Sequence, residues 1–166
     1  EALFDAFSTY PRALEVRHAS FQTDEFTSFL DRRQVAWVNV DQPLFHDSVK
    51  PASTVSGPLA YVRFHGRNYE KWFAHQESWE RYNYLYSPQE LEPWVERIRS
   101  AAETRDTYVI TNNHFRGQAI VNAGELKRAL GQEGTVPPQL AEVYGGRVGK
   151  DGRVVGSLSG KANREW

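Results

Sequence analysis

Side chains that can bind anions or transfer protons are concentrated where the predicted β-strands end. Four segments carry them: Glu15-Val16-Arg17-His18, Asp41, Arg63-Phe64-His65-Gly66-Arg67 and Asn112-Asn113-His114. A guanidinium group presents a planar fork of N–H donors to a carboxylate or phosphate, and an imidazole exchanges protons near neutral pH. These residue types predict a site that binds a small anionic molecule and acts on it by acid–base chemistry.

The first hypothesis is an enzyme, of the hydrolase or lyase/isomerase kind, acting on a phosphorylated or sugar-like molecule. Its guanidinium groups hold the anion by charge-assisted hydrogen bonds, and its amides bind hydroxyl or carbonyl groups. His65 or His114 is the general acid or base, oriented by Glu15 or Asp41. The residues expected to bind substrate are Arg17, Arg63, Arg67, Arg81, Tyr84, Asn112 and Asn113.

Several of these residues also have a structural interpretation. Glu15 and Arg17 are equally well explained as a buried ion pair, and Asp41 as the turn that begins a proline-rich loop. His18 is better interpreted as a hydrogen-bonded loop residue. The segment His65-Gly66-Arg67 is harder to explain without a ligand, because glycine permits close approach to the backbone.

The sequence requires no cofactor, although a divalent metal is compatible with it. A metal-assisted version of the enzyme recruits His65, His114, Glu15 and Asp41, a donor set that suits Zn, Mn or Fe. These residues are scattered along the chain, which makes the metal-assisted version the weaker of the two.

Four short runs predict the strands that position these side chains: Ala13 to His18, Val35 to Val40, Leu59 to Gly66 and Asp106 to Asn113. Each run is almost continuously apolar, which favours strands buried on both faces of a parallel sheet. Because side chains alternate along a strand, Glu15 and Arg17 are expected to share a face. The same holds for Arg63 with His65, and for Asn112 with His114.

Helical patterns alternate with these strands. Asp24 to Arg33 has apolar residues at spacings of three and four, and Ser87-Pro88-Gln89-Glu90 is a capping box that opens a helix to about Glu103. A further helix is predicted from about Gln118 to Leu130, ending at Gly131. Alternating strands and helices predict an α/β fold, namely a parallel (β/α) TIM-type barrel with its site at the carboxyl ends of the strands.

Other segments interrupt this alternation. Residues 41–58 and 65–86 are expected to be long loops, the second rich in aromatic residues. The predicted organisation is half of a barrel over residues 1–134 and a Gly/Pro-rich basic tail over 135–166, with a small hairpin at 147–158. Four strands cannot close a barrel, which takes about eight. We therefore expect the amino-terminal half of the barrel, or a second copy of the chain, to complete it.

Composition narrows the function classes. The 166 residues include no cysteine, which excludes disulfides and thiolate chemistry, and the formal net charge is -1, which excludes a global attraction to polyanions.

No apolar run reaches the roughly 18–20 residues of a membrane span, and no signal peptide is recognisable. A cytoplasmic protein is expected, and the lack of any Met predicts a trimmed chain. His-Glu-x-x-His and Gly-x-Ser-x-Gly motifs are absent, and the Gly-rich segment 145–151 lacks phosphate-loop spacing.

A non-catalytic module that binds nucleic acid or another polyanion is the alternative. The aromatic loop contains Trp72, Phe73, Trp79, Tyr82, Tyr84 and Tyr86, which could stack on bases. The basic tail would contact phosphates through Arg147, Lys150, Arg153, Lys161 and Arg164. Packing of the loop itself is the more common role of such an aromatic cluster.

Several of these motifs, in this order, resemble the YecE-like family, a domain of unknown function with a TIM-barrel fold. They are Leu14-Glu15-Val16-Arg17-His18, Tyr61 to Arg67 with Trp72, Arg81 to Ser87, Glu90-Leu91 with Trp94, and Asn112-Asn113-His114 with Gly117, Ala119, Asn122 and Ala123. The resemblance reaches about Leu130 and implies that this chain is the later half of an eight-stranded barrel. It implies no reaction. Asn83 stands where the family usually has Asp, which removes an acid from that position.

Overall fold

A four-stranded sheet with the order β1-β2-β3-β4 organises the chain in the computed structural model, which describes residues 2–155 and 158. The strands are β1 (Arg12–Leu14), β2 (Val35–Asp41), β3 (Leu59–Phe64) and β4 (Asp106–Thr111). The helices are α1 (Ala2–Ala6), α2 (Asp24–Arg32), α3 (Pro88–Ala102), α4 (Gln118–Ala129) and α5 (Ala141–Tyr144). The predicted α/β class with a parallel sheet is confirmed.

Parallel pairing fixes the register on both sides of β2. Arg12 pairs with Val35 across β1 and β2, and Val40 pairs with Arg63 across β2 and β3. Every residue of β2 is buried. The apolar run that predicted a strand buried on both faces is therefore confirmed for β2.

The same prediction is wrong for β3 and β4. β3 alternates between buried and half-buried residues, and β4 between half-buried and exposed ones. β4 lies at the edge of the sheet, where Tyr108 stacks on Tyr61 with ring centroids 6.5 Å apart. Arg63 lies on the half-buried face of β3. This polar side chain near the end of the strand is therefore partly accessible to solvent.

The predicted first strand is too long. β1 ends at Leu14, because the following backbone leaves the sheet and bonds instead to the loop after β2: the N–H of Val49 donates to the carbonyl of Arg17 at 2.9 Å. A bridge between His18 and Ser48 continues this contact. Glu15 and Arg17 are thus not neighbours on one face of a strand. Asn112, Asn113 and His114 also lie beyond the end of their strand.

The helix signals are confirmed. Ser87 and Glu90 form the reciprocal capping box, with the Ser87 N–H donating to Glu90 Oε2 at 2.8 Å and the Glu90 N–H to Ser87 Oγ at 3.3 Å. After α4, Gly131 adopts φ +77°. Its left-handed conformation lets the N–H of Gln132 reach back to the carbonyl of Lys127 at 2.9 Å.

The described residues form two units, each with its own core. Among the described residues, the first unit comprises 2–67 and 97–110, and α2 packs there on β2 through Phe26, Phe29 and Leu30. The second unit comprises 68–96, 111–155 and 158, and its apolar cluster joins Val121 of α4 to Val136, Val148 and Val154. No helix within the described residues combines the length and hydrophobicity needed to span a bilayer.

The carboxyl-terminal segment, predicted as a basic tail, contributes three of those core valines. Within the predicted hairpin, Val148 and Val154 form an antiparallel bridge, and the Gly149 N–H donates to the Arg153 carbonyl at 2.7 Å. Gly156 and Ser157 of that hairpin, and the basic residues Lys161 and Arg164, lie outside the described residues.

Candidate anion-binding site

The carboxylate of Glu15 lies at the centre of a charged cluster in the first unit. Its Oε1 lies 2.7 Å from Nη2 of Arg17 and 3.1 Å from Nε2 of His65. Its Oε2 accepts a hydrogen bond from Nη1 of Arg63 at 3.0 Å. The structure thus brings together four of the residues singled out in the sequence, from the segment after β1 and from the end of β3.

Arg17 is fixed by contacts other than its ion pair. Its Nη1 donates to the side-chain oxygen of Gln42 at 3.0 Å, and Nη2 lies 3.0 Å from Nε2 of His65. Its own carbonyl accepts the Val49 N–H. The guanidinium orientation is consequently determined by the end of β2 and the loop that follows.

Exposure separates the members of this cluster. The side chains of Arg17 and Arg63 are 41% and 37% exposed, whereas that of His65 is only 2% exposed. Both guanidinium groups are accessible from solvent, and the imidazole lies beneath them. The arginines are therefore accessible to a dissolved anion, whereas His65 contacts Glu15 and Arg17 from the buried side.

Charge and burial set the protonation states. Burial raises the pKa of Glu15, but the hydrogen bond and charge of His65 together with the two arginines outweigh it and lower the pKa to about 2. Burial lowers the pKa of His65 below its ordinary 6.5, helped by the arginine charges and opposed by its contact with Glu15. Near pH 7 the cluster holds an ionised carboxylate and a neutral imidazole. Nε2 of that imidazole either donates to Glu15 or accepts from Arg17, depending on the tautomer.

Asp41 and Arg67 form a second ion pair at the same strand ends. Arg67 binds the carboxylate of Asp41 in a bidentate manner, with Nε to Oδ1 at 2.8 Å and Nη2 to Oδ2 at 2.5 Å. The Asp41 side chain is buried, and its carbonyl accepts the N–H of His65 at 2.8 Å. Asp41 is therefore more than the turn that begins a loop, because its carboxylate is paired with Arg67. It connects β2 to the backbone that carries His65.

The remaining predicted site residues belong to the second unit and have partners there. Asn113 is fully buried and donates to the carbonyl of Tyr84 at 2.8 Å and to Oδ1 of Asn122 at 2.7 Å. Nη2 of Arg81 lies 3.1 Å from Nε2 of His75. These contacts explain the amides and the arginine as parts of the framework of the second unit.

His114 and its neighbours complete that set. Nδ1 of His114 lies 2.8 Å from the carbonyl of Asn112, and its ring centroid lies 5.2 Å from that of Tyr82. The hydroxyl of Tyr84 donates to Glu90. In the first unit, His18 is the hydrogen-bonded loop residue that was expected, since its Nδ1 accepts the Ser20 N–H at 3.2 Å.

The polyanion alternative loses one of its basic residues to the interior. Arg147 binds the buried carboxylate of Glu125, with Nε donating to Oε1 at 2.6 Å. In the aromatic loop, Trp72 and Tyr86 are buried and Phe73 is exposed. The loop thus combines packing residues with an exposed ring.

The described part of the chain contains no group of three or more His, Asp or Glu side chains placed to hold a metal ion. Glu15 and His65 are engaged by arginines, and Asp41 is paired with Arg67. Guanidinium groups occupy the positions around these carboxylates, so the residues present fit an anion better than a cation.

Sequence reasoning missed Gln42. Gln42 is buried and orients Arg17. A single glutamine after a strand belongs to no recognised sequence motif, so this role could not be predicted from a motif. The available signal was its position, since Gln42 directly follows Asp41, the last residue of β2.

Acidification is expected to destabilise the protein in two steps through this cluster. Both Glu15 and His65 have lowered pKa values in the folded state, so the unfolded chain binds more protons and stability decreases as the pH is lowered. The His65 contribution is lost as the pH falls below 6.5, and the Glu15 contribution between pH 4.5 and about 2. The Glu15 step is on the order of 2–3 kcal/mol.

Urea denaturation of the wild type, Glu15→Gln and His65→Asn at about pH 8, 6, 4 and 2.5 measures these steps, because this series spans both windows. Glu15→Gln is expected to flatten the acid part of the difference curve, and His65→Asn the part just below pH 6.5. Parallel pH profiles for all three proteins would show that the cluster does not control acid stability.

Comparison with known proteins identified a matching family and a similar protein. The family model described as "Protein of unknown function DUF72" matches residues 1–143. The chain is 30% identical over 145 residues to the UPF0759 protein YunF of Bacillus subtilis (strain 168), and this alignment covers 78% of the chain and 51% of YunF.

Solved structures give the same result. A DUF72 family protein from Thermotoga maritima MSB8 is 37% identical with a TM-score of 0.68, over 78% of this chain and 50% of that one. A DUF72 family protein from Enterococcus faecalis V583 is 28% identical with a TM-score of 0.69, over 80% and 51%. The chain spans about half the length of the relatives it matches. The YecE-like family is the same family, so the resemblance noted in the sequence is confirmed and the chain belongs to the DUF72 family of unknown function.

Proposed function

We propose that the chain contributes the anion-binding part of an enzyme that acts on a small anionic molecule. The observation that carries this proposal is the pair of half-exposed guanidinium groups, Arg17 and Arg63, that converge on one carboxylate. Three guanidinium groups and two carboxylates, those of Arg17, Arg63, Arg67, Glu15 and Asp41, leave one formal positive charge while His65 is neutral. The local field is therefore attractive to anions although the whole chain has a net charge of -1.

The proposed setting of this site is a parallel (β/α) barrel of the TIM type. The sequential strand order and the parallel pairing of β1, β2 and β3 support it, as does a length about half that of the relatives. About eight strands close such a barrel. The remaining strands come from the rest of a longer polypeptide or from a second copy of the chain, and active sites of this architecture lie at the carboxyl ends of the strands.

Acid–base chemistry in this proposal depends on the pair formed by His65 and Glu15. A neutral imidazole can accept a proton from a substrate only if the proton has a path to it. The 3.1 Å contact between His65 Nε2 and Glu15 Oε1 orients the buried ring, and a substrate oxygen that took the place of Oε1 would lie next to Nε2. Arg17 and Arg63 would stabilise negative charge that develops on the substrate.

Removal of either guanidinium is expected to weaken anion binding by about 10- to 100-fold, since a hydrogen bond to a charged group contributes roughly 1.5–3 kcal/mol. Isothermal titration of phosphate and of citrate into the wild type, Arg17→Ala and Arg63→Ala measures the effect. Arg17→Lys and Arg63→Lys keep the charge but lose the fork, so they are expected to bind with intermediate affinity.

Arg32→Ala is the matched control, because this exposed arginine at the end of α2 changes the net charge of the same unit equally. Equal dissociation constants for the Arg17, Arg63 and Arg32 variants would reduce the effect to overall charge and refute the site.

A further inference from the structure

We infer that this site is shaped for the carboxylate group of a small organic acid, and that Glu15 is a built-in occupant that the ligand displaces. The inference rests on the proposed function, in which Arg17 and Arg63 bind the anionic group of the ligand. It specifies that the anionic group of the ligand is a carboxylate and that Glu15 competes with the ligand for the same donors.

The donors around Glu15 match a planar group with two oxygens. Oε1 faces Arg17, whose Nη2 and Nε lie 2.7 and 2.8 Å away, together with Nε2 of His65. Oε2 faces Nη1 of Arg63 at 3.0 Å. Each oxygen thus has a guanidinium group of its own. A tetrahedral phosphate presents three outward oxygens with a different spacing, so this donor set fits a carboxylate better.

The guanidinium of Arg17, and the backbones that carry all three donors, are held by contacts that do not involve Glu15. Arg17 is bonded to Gln42 through its side chain and to Val49 through its carbonyl. Arg63 lies within β3, paired with Val40. The N–H of His65 is bonded to the Asp41 carbonyl. The positions of these backbones and of the Arg17 guanidinium therefore do not depend on the carboxylate that now fills the site.

Glu15 itself is the member most able to leave. It lies beyond the end of β1, in a segment without regular structure, and its side chain is 17% exposed. Within the described residues, its side-chain contacts are those to Arg17, Arg63 and His65. Rotation of one side chain would transfer the ionised carboxylate to water and open the same positions to the carboxylate of a ligand.

An occupant tethered to the chain competes at a high effective concentration. The wild type is therefore expected to bind simple carboxylates weakly. Glu15→Gln replaces the competing charge by a neutral amide of the same shape, so its dissociation constant for acetate is expected to be lower by about tenfold or more. Ordinary catalytic or structural roles of Glu15 predict no such gain.

The decisive experiment is chemical rescue of Glu15→Ala in the full chain. Acetate is expected to raise the melting temperature of Glu15→Ala by several degrees more than it raises that of the wild type, because it fills the vacated position. Phosphate at the same ionic strength is expected to give no such excess. Glu103→Ala and Glu103→Gln, at an exposed residue of the same unit, control for the loss of one negative charge.

Equal stabilisation by acetate and phosphate would overturn the carboxylate inference while leaving anion binding by Arg17 and Arg63 in place. Acetate affinity in Glu15→Gln that is no higher than in the wild type would overturn displacement, and this titration also decides the matter if Glu15→Ala does not fold. A lack of binding of any anion to any variant would refute the proposed function as well.

Discussion

Glu125→Ala is expected to lower the free energy of unfolding by about 3–5 kcal/mol, the cost of removing one partner from a buried ion pair. The carboxylate of Glu125 is 1% exposed and is bound in a bidentate manner by Arg147. It also accepts a hydrogen bond from Asn122 at 2.9 Å, and Arg147 donates to the carbonyl of Tyr86 at 2.7 Å. Without the carboxylate, a mostly buried guanidinium keeps its charge but loses its counter-ion.

Urea denaturation with and without the substitution measures this effect, and Glu133→Ala, at an exposed position just after α4, is the matched control. The double variant Glu125→Met with Arg147→Met is expected to recover most of the loss, since apolar side chains of similar volume often replace a buried pair without penalty. A loss below about 1 kcal/mol for Glu125→Ala, the range of an exposed pair, would contradict the assignment.

Gly57→Ala is expected to destabilise the protein by about 3 kcal/mol or more, because strain and collision add together. Gly57 adopts φ +64°, and a Cβ placed on it would lie 2.8 Å from the carbonyl carbon and 2.9 Å from the nitrogen of Val35. Backbone atoms at the start of a buried strand cannot move aside as a flexible side chain can. The N–H of Gly57 also donates to Asp31 at 2.9 Å, which anchors the turn to the end of α2.

Gly131→Ala separates the two contributions. Gly131 has a similar φ of +77°, but a Cβ there meets no atom within 4 Å. This variant is expected to lose only the left-handed backbone preference, about 1 kcal/mol. Equal losses at Gly57 and Gly131, measured by urea denaturation, would show that the contact with Val35 is relieved at no cost.

Elements with a strong local cause could be predicted from the sequence. The capping box at Ser87 and the glycine after α4 act within a few residues, and both behave as expected. The almost continuously apolar run of β2 also predicts its burial. The end of β1 could not be predicted, because it depends on a distant segment: the backbone of Arg17 bonds to Val49, 32 residues away along the chain.

The same distinction applies to the candidate site. Residue type and position at strand ends pointed to Glu15, Arg17, Arg63 and His65, and the structure places the other three within hydrogen-bonding distance of the Glu15 carboxylate. The buried position of His65 beneath the arginines, and the pairing of Asp41 with Arg67, depend on side-chain packing that has no sequence signature. The sequence also gave no indication that Glu125, on helix α4, pairs with Arg147 in the carboxyl-terminal segment.

A loop, residues 42–58, connects β2 to β3 where a crossover helix is usual between parallel strands. Hydrogen bonds to β2 hold this loop in place. Asn39 of β2 bonds both the N–H and the carbonyl of Thr54, at 2.9 and 2.8 Å. The hydroxyl of Ser56 joins the Trp37 N–H to the Val35 carbonyl. A loop tied in this way is already ordered before any ligand arrives. Because the same loop holds Gln42 and the backbone of Arg17, the proposed anion would meet donors that need little further ordering once Glu15 has moved away, and this preorganisation would favour binding.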